Sequence, residues 1–450
     1  MHQISKEAIK NYILSLKNPQ GGFFLQKQYN QSTLMSSAFS ILSLELVNSL
    51  NHIDIKTEAS QFLKNQDKES GLIIDPKLNF PLNNIEDLEK NYIHYQTTAF
   101  SISALDALGH TPKHKFIFLD VFRAKQRIIQ FFDKINWNNP WHESNKIMFL
   151  LQFFSYEYLR VKNNQSLKFI HIILDQLDKM QDPETGLWGT QFNASSFVAM
   201  AATYHFLIFY KYFNRSINFS DQIATSVLRL QMKDGLYHPF GGGGACEDLD
   251  AIDVLSKVVI NVDNQIEQSL KHSYRALEKN YNSDGGFCWA KRPSFAFLYG
   301  IEYLSPTSKL FNYRKGNVLS QYRPGLSSNI LSILLSVEIN EKLVFYPKWH
   351  IFRAFEIISK KNFFELTREN NIPFKILNSI KQRIFNNDIR NTQLKNIHFQ
   401  KFLKEQQVYE KYRKITHDLD LKNYPNLNYK FKTIDQEFWS VNNIVNLTSI

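Results

Sequence analysis

A glycine-centred turn returns along this chain at intervals of about 50 residues, and this recurrence constrains the fold more than any other feature. The turn glycines are Gly21, Gly71, Gly186, Gly235 and Gly285. Each follows a run of helical period and leads into an apolar or aromatic residue, as in Asn18-Pro19-Gln20-Gly21-Gly22-Phe23 and Gln181-Asp182-Pro183-Glu184-Thr185-Gly186-Leu187-Trp188. The spacing slips only across a degenerate third unit, where Asn138-Asn139-Pro140-Trp141 stands in for the glycine turn. About six helix–turn–helix units result. Such hairpins either stack as an open solenoid or close into a ring. The small residues of Thr97 to Ala107 and Ala194 to Thr203 favour a tight inner circle.

The periodicity predicts paired helices. Lys6 to Leu16 precedes Ser32 to Leu50, and Thr57 to Leu63 precedes a helix opened by His94-Tyr95-Gln96-Thr97-Thr98 and stopped by Gly109. Phe122 to Phe132 precedes Lys146 to Leu159, which His142-Glu143-Ser144-Asn145 opens, and Phe169 to Met180 precedes Phe197 to Tyr212. Ser220 to Leu230 leads to the fifth inner helix, and Glu267 to Lys279 to a sixth at Leu326 to Ile339.

Composition removes several classes of function. The chain of 450 residues is 43% hydrophobic and 14% aromatic, with 37 Phe, enough for a wide apolar interior. Its net charge is +11, but Lys and Arg are scattered and often lie near acids, so no nucleic-acid partner is expected. Weak peripheral attraction of this basic surface to anionic membranes stays open. Two cysteines, Cys246 and Cys288, do not make a disulfide framework. Met1 to Lys17 mixes acids and bases unlike a signal peptide, and no run approaches the ~20 apolar residues of a membrane span. A cytoplasmic location is the expectation.

The densest chemistry lies between Gly235 and Asp253. Four glycines, Gly241 to Gly244, run into Ala245-Cys246-Glu247-Asp248-Leu249-Asp250-Ala251-Ile252-Asp253. Glu247 and Asp248 read as first-turn acids that meet the positive end of a helix. At ~100° per residue, Cys246, Asp250, Asp253 and Lys257 share one stripe while Ile252, Leu255 and Val259 lie opposite. A capped helix with an Asp253–Lys257 pair would account for one or two acids. Four acids and a thiol point instead to converging carboxylates, whose repulsion and burial would raise one pKa and make that group a proton donor.

The turns carry a resemblance. Gln181-x-x-x-x-Gly186-x-Trp188 resembles the glutamine–tryptophan repeat of squalene and other triterpene cyclases, and Gln66 to Ile73 and Gln231 to Tyr237 are similar with the aromatic relaxed. Gly285-Gly286-Phe287 resembles the turns of protein prenyltransferase β subunits. The resemblance covers about residues 5 to 340 and implies an all-α (α/α)6 toroid with inner-helix N-termini at one mouth. It would gather there His94 and Tyr95, His142 and Glu143, Asn193, Cys246 to Asp253, and Arg323.

Three chemistries belong to toroids of this kind. A class II terpenoid cyclase protonates an alkene or epoxide with the central Asp of a DxDD motif. Asp248-Leu249-Asp250 supplies DxD and places Asp250 in the donor position, whereas Ala251 replaces the last Asp and Asp253 follows two residues late. A protein prenyltransferase holds zinc with Asp-x-Cys and a later His. Here the order Cys246-Glu247-Asp248 is reversed and the sixth unit offers no such His, so neither zinc nor another cofactor is expected. A glycan lyase or hydrolase would use Asn193, His94 or Tyr95, and Arg323, or the carboxylates Asp250 and Glu143.

The expectation is an enzyme of acid-assisted chemistry on an isoprenoid or other lipid-like substrate. Asp250, Asp248, Glu247 and Asp253 would be catalytic, and His94, Tyr95, His142, Glu143, Asn193, Cys246 and Arg323 would bind substrate. A glycan-active toroid and a toroid that only binds are the alternatives. Residues 1 to 340 form the toroid in this account, and residues 341 to 450, with helices at Phe345 to Ile358, Pro373 to Phe385 and Phe399 to Lys414, form a helical extension.

Overall fold

The structure is a computed structural model that describes residues 5–78, 80–237, 245–258, 264–289, 315–318 and 321. The expected inner helix Leu326 to Ile339, Arg323, the glycines Gly241 to Gly244 and the extension from residue 341 lie outside the described residues.

Two layers of helices alternate along the chain. The outer set is α1 (Lys6–Leu14), α3 (Ile55–Leu63), α5 (Lys125–Phe132), α7 (Asn164–Lys179), α9 (Ser220–Leu230) and α11 (Asn264–Glu278). The inner set is α2 (Leu34–Leu46), α4 (Tyr92–Ala107), α6 (Pro140–Tyr156), α8 (Ser196–Tyr212) and α10 (Ala245–Val258). Inner helices are buried nearly all round, as their uniform mix of small and apolar residues requires. Outer helices bury one stripe only, for example Ile9, Tyr12 and Ile13 of α1. Successive inner helices pack side by side from α2 to α10, and outer helices lie astride two of them, as α9 does over α8 and α10.

Side chains stop and start these helices where the sequence leads one to expect. Ser5 caps α1, Thr33 and Ser36 form a reciprocal box at α2, and Asp54 caps α3 through the Thr57 amide. The third unit departs most from expectation. Its outer helix begins at Lys125, after a 3-10 turn over Ile117–Phe122, and its inner helix begins at Pro140. A proline is well placed there, because a first-turn N–H has no helical partner to lose.

The recurrent turns share one construction. Bridges pair Lys17 with Phe23, Gln66 with Ile73, Gln181 with Trp188 and Tyr281 with Phe287, and the turn glycines Gly21, Gly71, Gly186 and Gly285 have positive φ, from +73° at Gly186 to +102° at Gly21. The glutamines clamp these turns to the next unit. Gln66 Nε2 donates to Gly71 O and His114 O, each at 2.9 Å, while Gln66 Oε1 accepts the Lys113 and His114 amides. Gln181 does the same for Gly186 O (2.8 Å) and Asn218 O (2.9 Å), and Gln231 for Gly235 O (3.1 Å) and Ser269 O (2.8 Å). An amide side chain suits the task because its NH2 donates twice, and at Gln66 and Gln231 its oxygen accepts as well. Trp188 Nε1 ties back to Leu177 O at 2.7 Å.

The last described unit returns to the first. The Ser5 amide donates to the Tyr281 hydroxyl (3.4 Å), the Val318 amide to Leu25 O (3.0 Å), and Gln26 Nε2 to Lys315 O (3.3 Å). Gly285 packs so tightly on α1 that a Cβ would stand 2.1 Å from Ala8 O. The chain is therefore an α/α toroid, closed at this seam.

Candidate functional site

The turns also fix how α2, α4 and α10 are rotated. The amide of Phe23 donates to Ser37 Oγ (3.1 Å), that of Ile73 to Thr98 Oγ1 (2.8 Å), that of Tyr237 to Asp248 Oδ1 (2.9 Å) and that of Phe287 to Gln321 Oε1 (2.9 Å). Asp248 thus faces outward to its turn and holds α10 as Ser37 holds α2 and Thr98 holds α4. At ~100° per residue, a side chain two positions later lies about 200° round and faces the centre of the ring. In α2 and α4 that side chain is Phe39 and Phe100, whose rings meet with centroids 4.7 Å apart. In α10 it is Asp250. Phe39, Phe100 and Asp250 thus hold equivalent register positions on α2, α4 and α10.

Asp250 is fully enclosed, and its Oδ2 has no hydrogen-bond partner. Burial raises its pKa well above the usual carboxylate value, and Glu247, Asp253 and Asp248 add to the rise. Glu247, 0% exposed, leaves both carboxyl oxygens without a partner, and burial lifts it to about 7. Asp253 shares the centre-facing stripe and pairs with Lys257 one turn on. Burial moves both members of this pair towards neutrality, and each partially offsets that for the other. Asp250 therefore differs from Asp248 and Asp253, for which a described amide or cation is in place, in the unpartnered state of its Oδ2.

Cys246 lies on the same stripe as Asp250 and is half-buried. Zinc of the prenyltransferase kind would need Cys246 and Asp248 to converge. Asp248 is instead engaged by the Tyr237 amide on the outward face of α10, so these residues do not fit that metal. Among the described residues, ligand atoms close enough for a metal occur together only at Glu89, His142 and Glu143, where Lys146 already supplies a cation.

At the N-terminal ends of α2, α4 and α6 the remaining expected residues are tied to the insertion between Asp75 and Asn91. Asp75 accepts the Leu34 amide at 2.6 Å. His94 Nε2 lies 3.3 Å from Pro81 O, and the Tyr95 hydroxyl donates to Ile85 O at 2.7 Å. Burial lowers the His94 pKa and raises that of Tyr95, so both rings are neutral near pH 7. His142 stacks on Tyr92 and reaches Glu89 at 3.1 Å, while Lys146 bridges Glu89 and Glu143 at 2.8 Å each. The His142 hydrogen bond, assisted by Lys146, holds the Glu89 carboxyl at about 2. Asn193 does not open α8. It ends a short 3-10 turn at φ +68°, and Ser195 precedes the helix.

The structure also joins residues that spacing did not link. Ser144 Oγ lies 2.7 Å from His205 Nδ1 and donates to Trp141 O (2.8 Å), which fastens α6 to α8. Glu89 belongs to an insertion with no periodic signal, whereas the Glu143–Lys146 pair was readable as an i, i+3 contact. Among the described residues no helix is long and apolar enough to cross a membrane.

A family model described as the prenyltransferase alpha-alpha toroid domain matches residues 1–75 and 77–293. Among solved structures, the chain is similar to a polysaccharide lyase, with 13% identity over 74% of this chain and 99% of that one and a TM-score of 0.41. It is also similar to a variant of the type II terpene cyclase MstE from Scytonema in complex with its substrate geranylgeranyl dihydroxybenzoate, with 11% identity over 72% and 95% of the two chains and a TM-score of 0.37. No characterised protein matches it by sequence.

Proposed function

The chain belongs to the prenyltransferase alpha-alpha toroid family, and from that premise we propose that it is an enzyme that protonates an isoprenoid or similarly apolar substrate, with Asp250 as the acid. The observation that carries this reading is the buried Asp250 carboxyl, its Oδ2 without a hydrogen-bond partner, at the register that Phe39 and Phe100 occupy in α2 and α4. A carboxylic acid kept neutral by burial and by neighbouring acids can deliver a proton to an alkene. Aromatic faces at the same register of α2 and α4 favour the cation that results.

Asp248 supports the reaction by fixing the rotation of α10, and the Asp253–Lys257 pair adds no net charge below the acid. Glycan chemistry would draw on Glu143, His94 and Tyr95, which are bound to Lys146, Pro81 and Ile85. Those engagements favour the isoprenoid reading. The test is Asp250→Asn, assayed on a panel of linear polyprenols, polyprenyl diphosphates and squalene-type hydrocarbons beside uronate polysaccharides. A general acid contributes ~10²–10⁴-fold. Turnover of an isoprenoid by the native protein should fall by that factor while the melting temperature stays within a few degrees. Turnover of a polysaccharide alone would transfer the chemistry to the glycan alternative. Isoprenoid turnover that survives Asp250→Asn would remove Asp250 from the mechanism.

A further inference from the structure

Glu247 is a buried acid of α10 for which the account above has no use. Asp248 is taken by the Tyr237 amide, Asp253 by Lys257, and Asp250 by the proposed protonation. Glu247 is no more exposed than they are, yet neither of its oxygens has a partner. Register shows where it points. In α4 the flank bearing Ala99 and Ser103 faces α6, because Gln152 Nε2 donates to Ala99 O (2.9 Å) and Ser103 Oγ (3.1 Å). Thr97 is on the opposite flank, towards α2. Glu247 precedes its turn-holding residue by one position, as Thr97 does, and therefore points towards α8. The first turns of α8 there offer Val198, Ala199, Met200, Ala201 and Ala202, with no cation.

A carboxylate with no donor and no cation is unstable in such a place, so Glu247 needs a proton. Its neighbour in the i, i+3 sense is Asp250, which needs one for the same reason. We propose that Glu247 and Asp250 hold one proton in common and that Glu247 re-arms Asp250 after each delivery. This rests on Asp250 being the acid. In the cycle, the Asp250 O–H bond breaks as its proton bonds to an alkene carbon, and the alkene π pair becomes the new C–H bond. The pair is then without a proton. When the substrate cation is quenched it loses one proton, or takes up water that loses one, and Glu247 accepts that proton and passes it to the Asp250 carboxylate.

Other charges do not substitute for this partnership. Among the described residues, the charged groups that act on Asp250 are Glu247, Asp253 and Asp248, all on α10. From α8 come His205, which is bound to Ser144, and Lys211, which feels the charge of Lys257; α9 contributes the exposed Asp221 and half-buried Arg229.

Carboxyl-labelled protein titrated by carbon NMR between pH 4 and 9, without substrate, tests the idea. The native pair should titrate in two separated steps and keep one proton through neutrality. Glu247→Gln should leave a single Asp250 step, lowered by at least ~1 pH unit because its negative neighbour is gone. An Asp250 midpoint equal in the native protein and in Glu247→Gln would overturn the proposal. Should the glutamine variant not fold, the native titration still decides, since two independent single steps would refute sharing. Melting temperature adds a second readout. Both groups have folded pKa values above their unfolded ones, so their stabilisation is full below about pH 4 and is lost as pH rises through about 7 for Glu247. Glu247→Gln should flatten that decline. Loss of the donor role would appear in Asp250→Asn turnover and leave these titrations unchanged, so the two failures are separable.

Discussion

Closure of the ring at the Gly285 seam can be tested by adding one methyl group. Gly285 has φ +86°, and a Cβ there would lie 2.1 Å from Ala8 O and 2.5 Å from Ala8 C. The obstacle is backbone, so no rotamer change relieves it. Gly285→Ala incurs the left-handed backbone penalty of ~1–2 kcal/mol. It must also push α1 off the seam, at a further ~1–3 kcal/mol typical of overpacking. Gly109 is the natural control, with φ +73° and nothing within 4 Å of the added carbon. Gly109→Ala should therefore lose only the ~1–2 kcal/mol backbone component. Urea unfolding of both variants, read as midpoints at constant slope, should rank Gly285→Ala as the less stable by ~1–3 kcal/mol. Equal midpoints would mean that α1 does not bear on Gly285, and the seam would have to be sought elsewhere.

Three further outcomes follow from the same geometry. Gln181→Ala removes the clamp on Gly186 O and Asn218 O and should lower stability by ~1–3 kcal/mol in thermal unfolding, with no effect expected for a glutamine that only decorated the turn. Asp248→Ser should fold and retain most activity, because Ser37 performs the same anchoring in the first unit; loss of turnover as complete as that in Asp250→Asn would show that Asp248 takes part in the chemistry. Lys257→Met strands a buried Asp253 and should cost ~3–5 kcal/mol, whereas Asp253→Leu combined with Lys257→Met should recover most of it; a double variant as unstable as the single one would refute the pairing argument.

Local chemistry made the outline of this protein legible. Glycine at positive φ, the glutamine and aromatic around it, and helices apolar on every side are properties of short stretches. They identified the paired layers and the face of α10 that carries Cys246, Asp250, Asp253 and Lys257, because helical period alone decides which residues share a stripe. Period does not decide where a stripe points. That required the Tyr237–Asp248 contact, which turned Asp248 outward and Asp250 inward. Likewise, His94, Tyr95, His142 and Glu143 were legible as residues near inner-helix starts. That the first three meet Pro81, Ile85 and Glu89 was not, since the insertion between Asp75 and Asn91 has no repeat to align it. Ser144 and His205, 61 positions apart, belong to the same category. Sequence determined what each turn of the chain could bury, because burial follows from side-chain type and spacing. Tertiary structure alone decided which buried polar groups found partners, because partners come from segments whose distance along the chain says nothing about their distance in space.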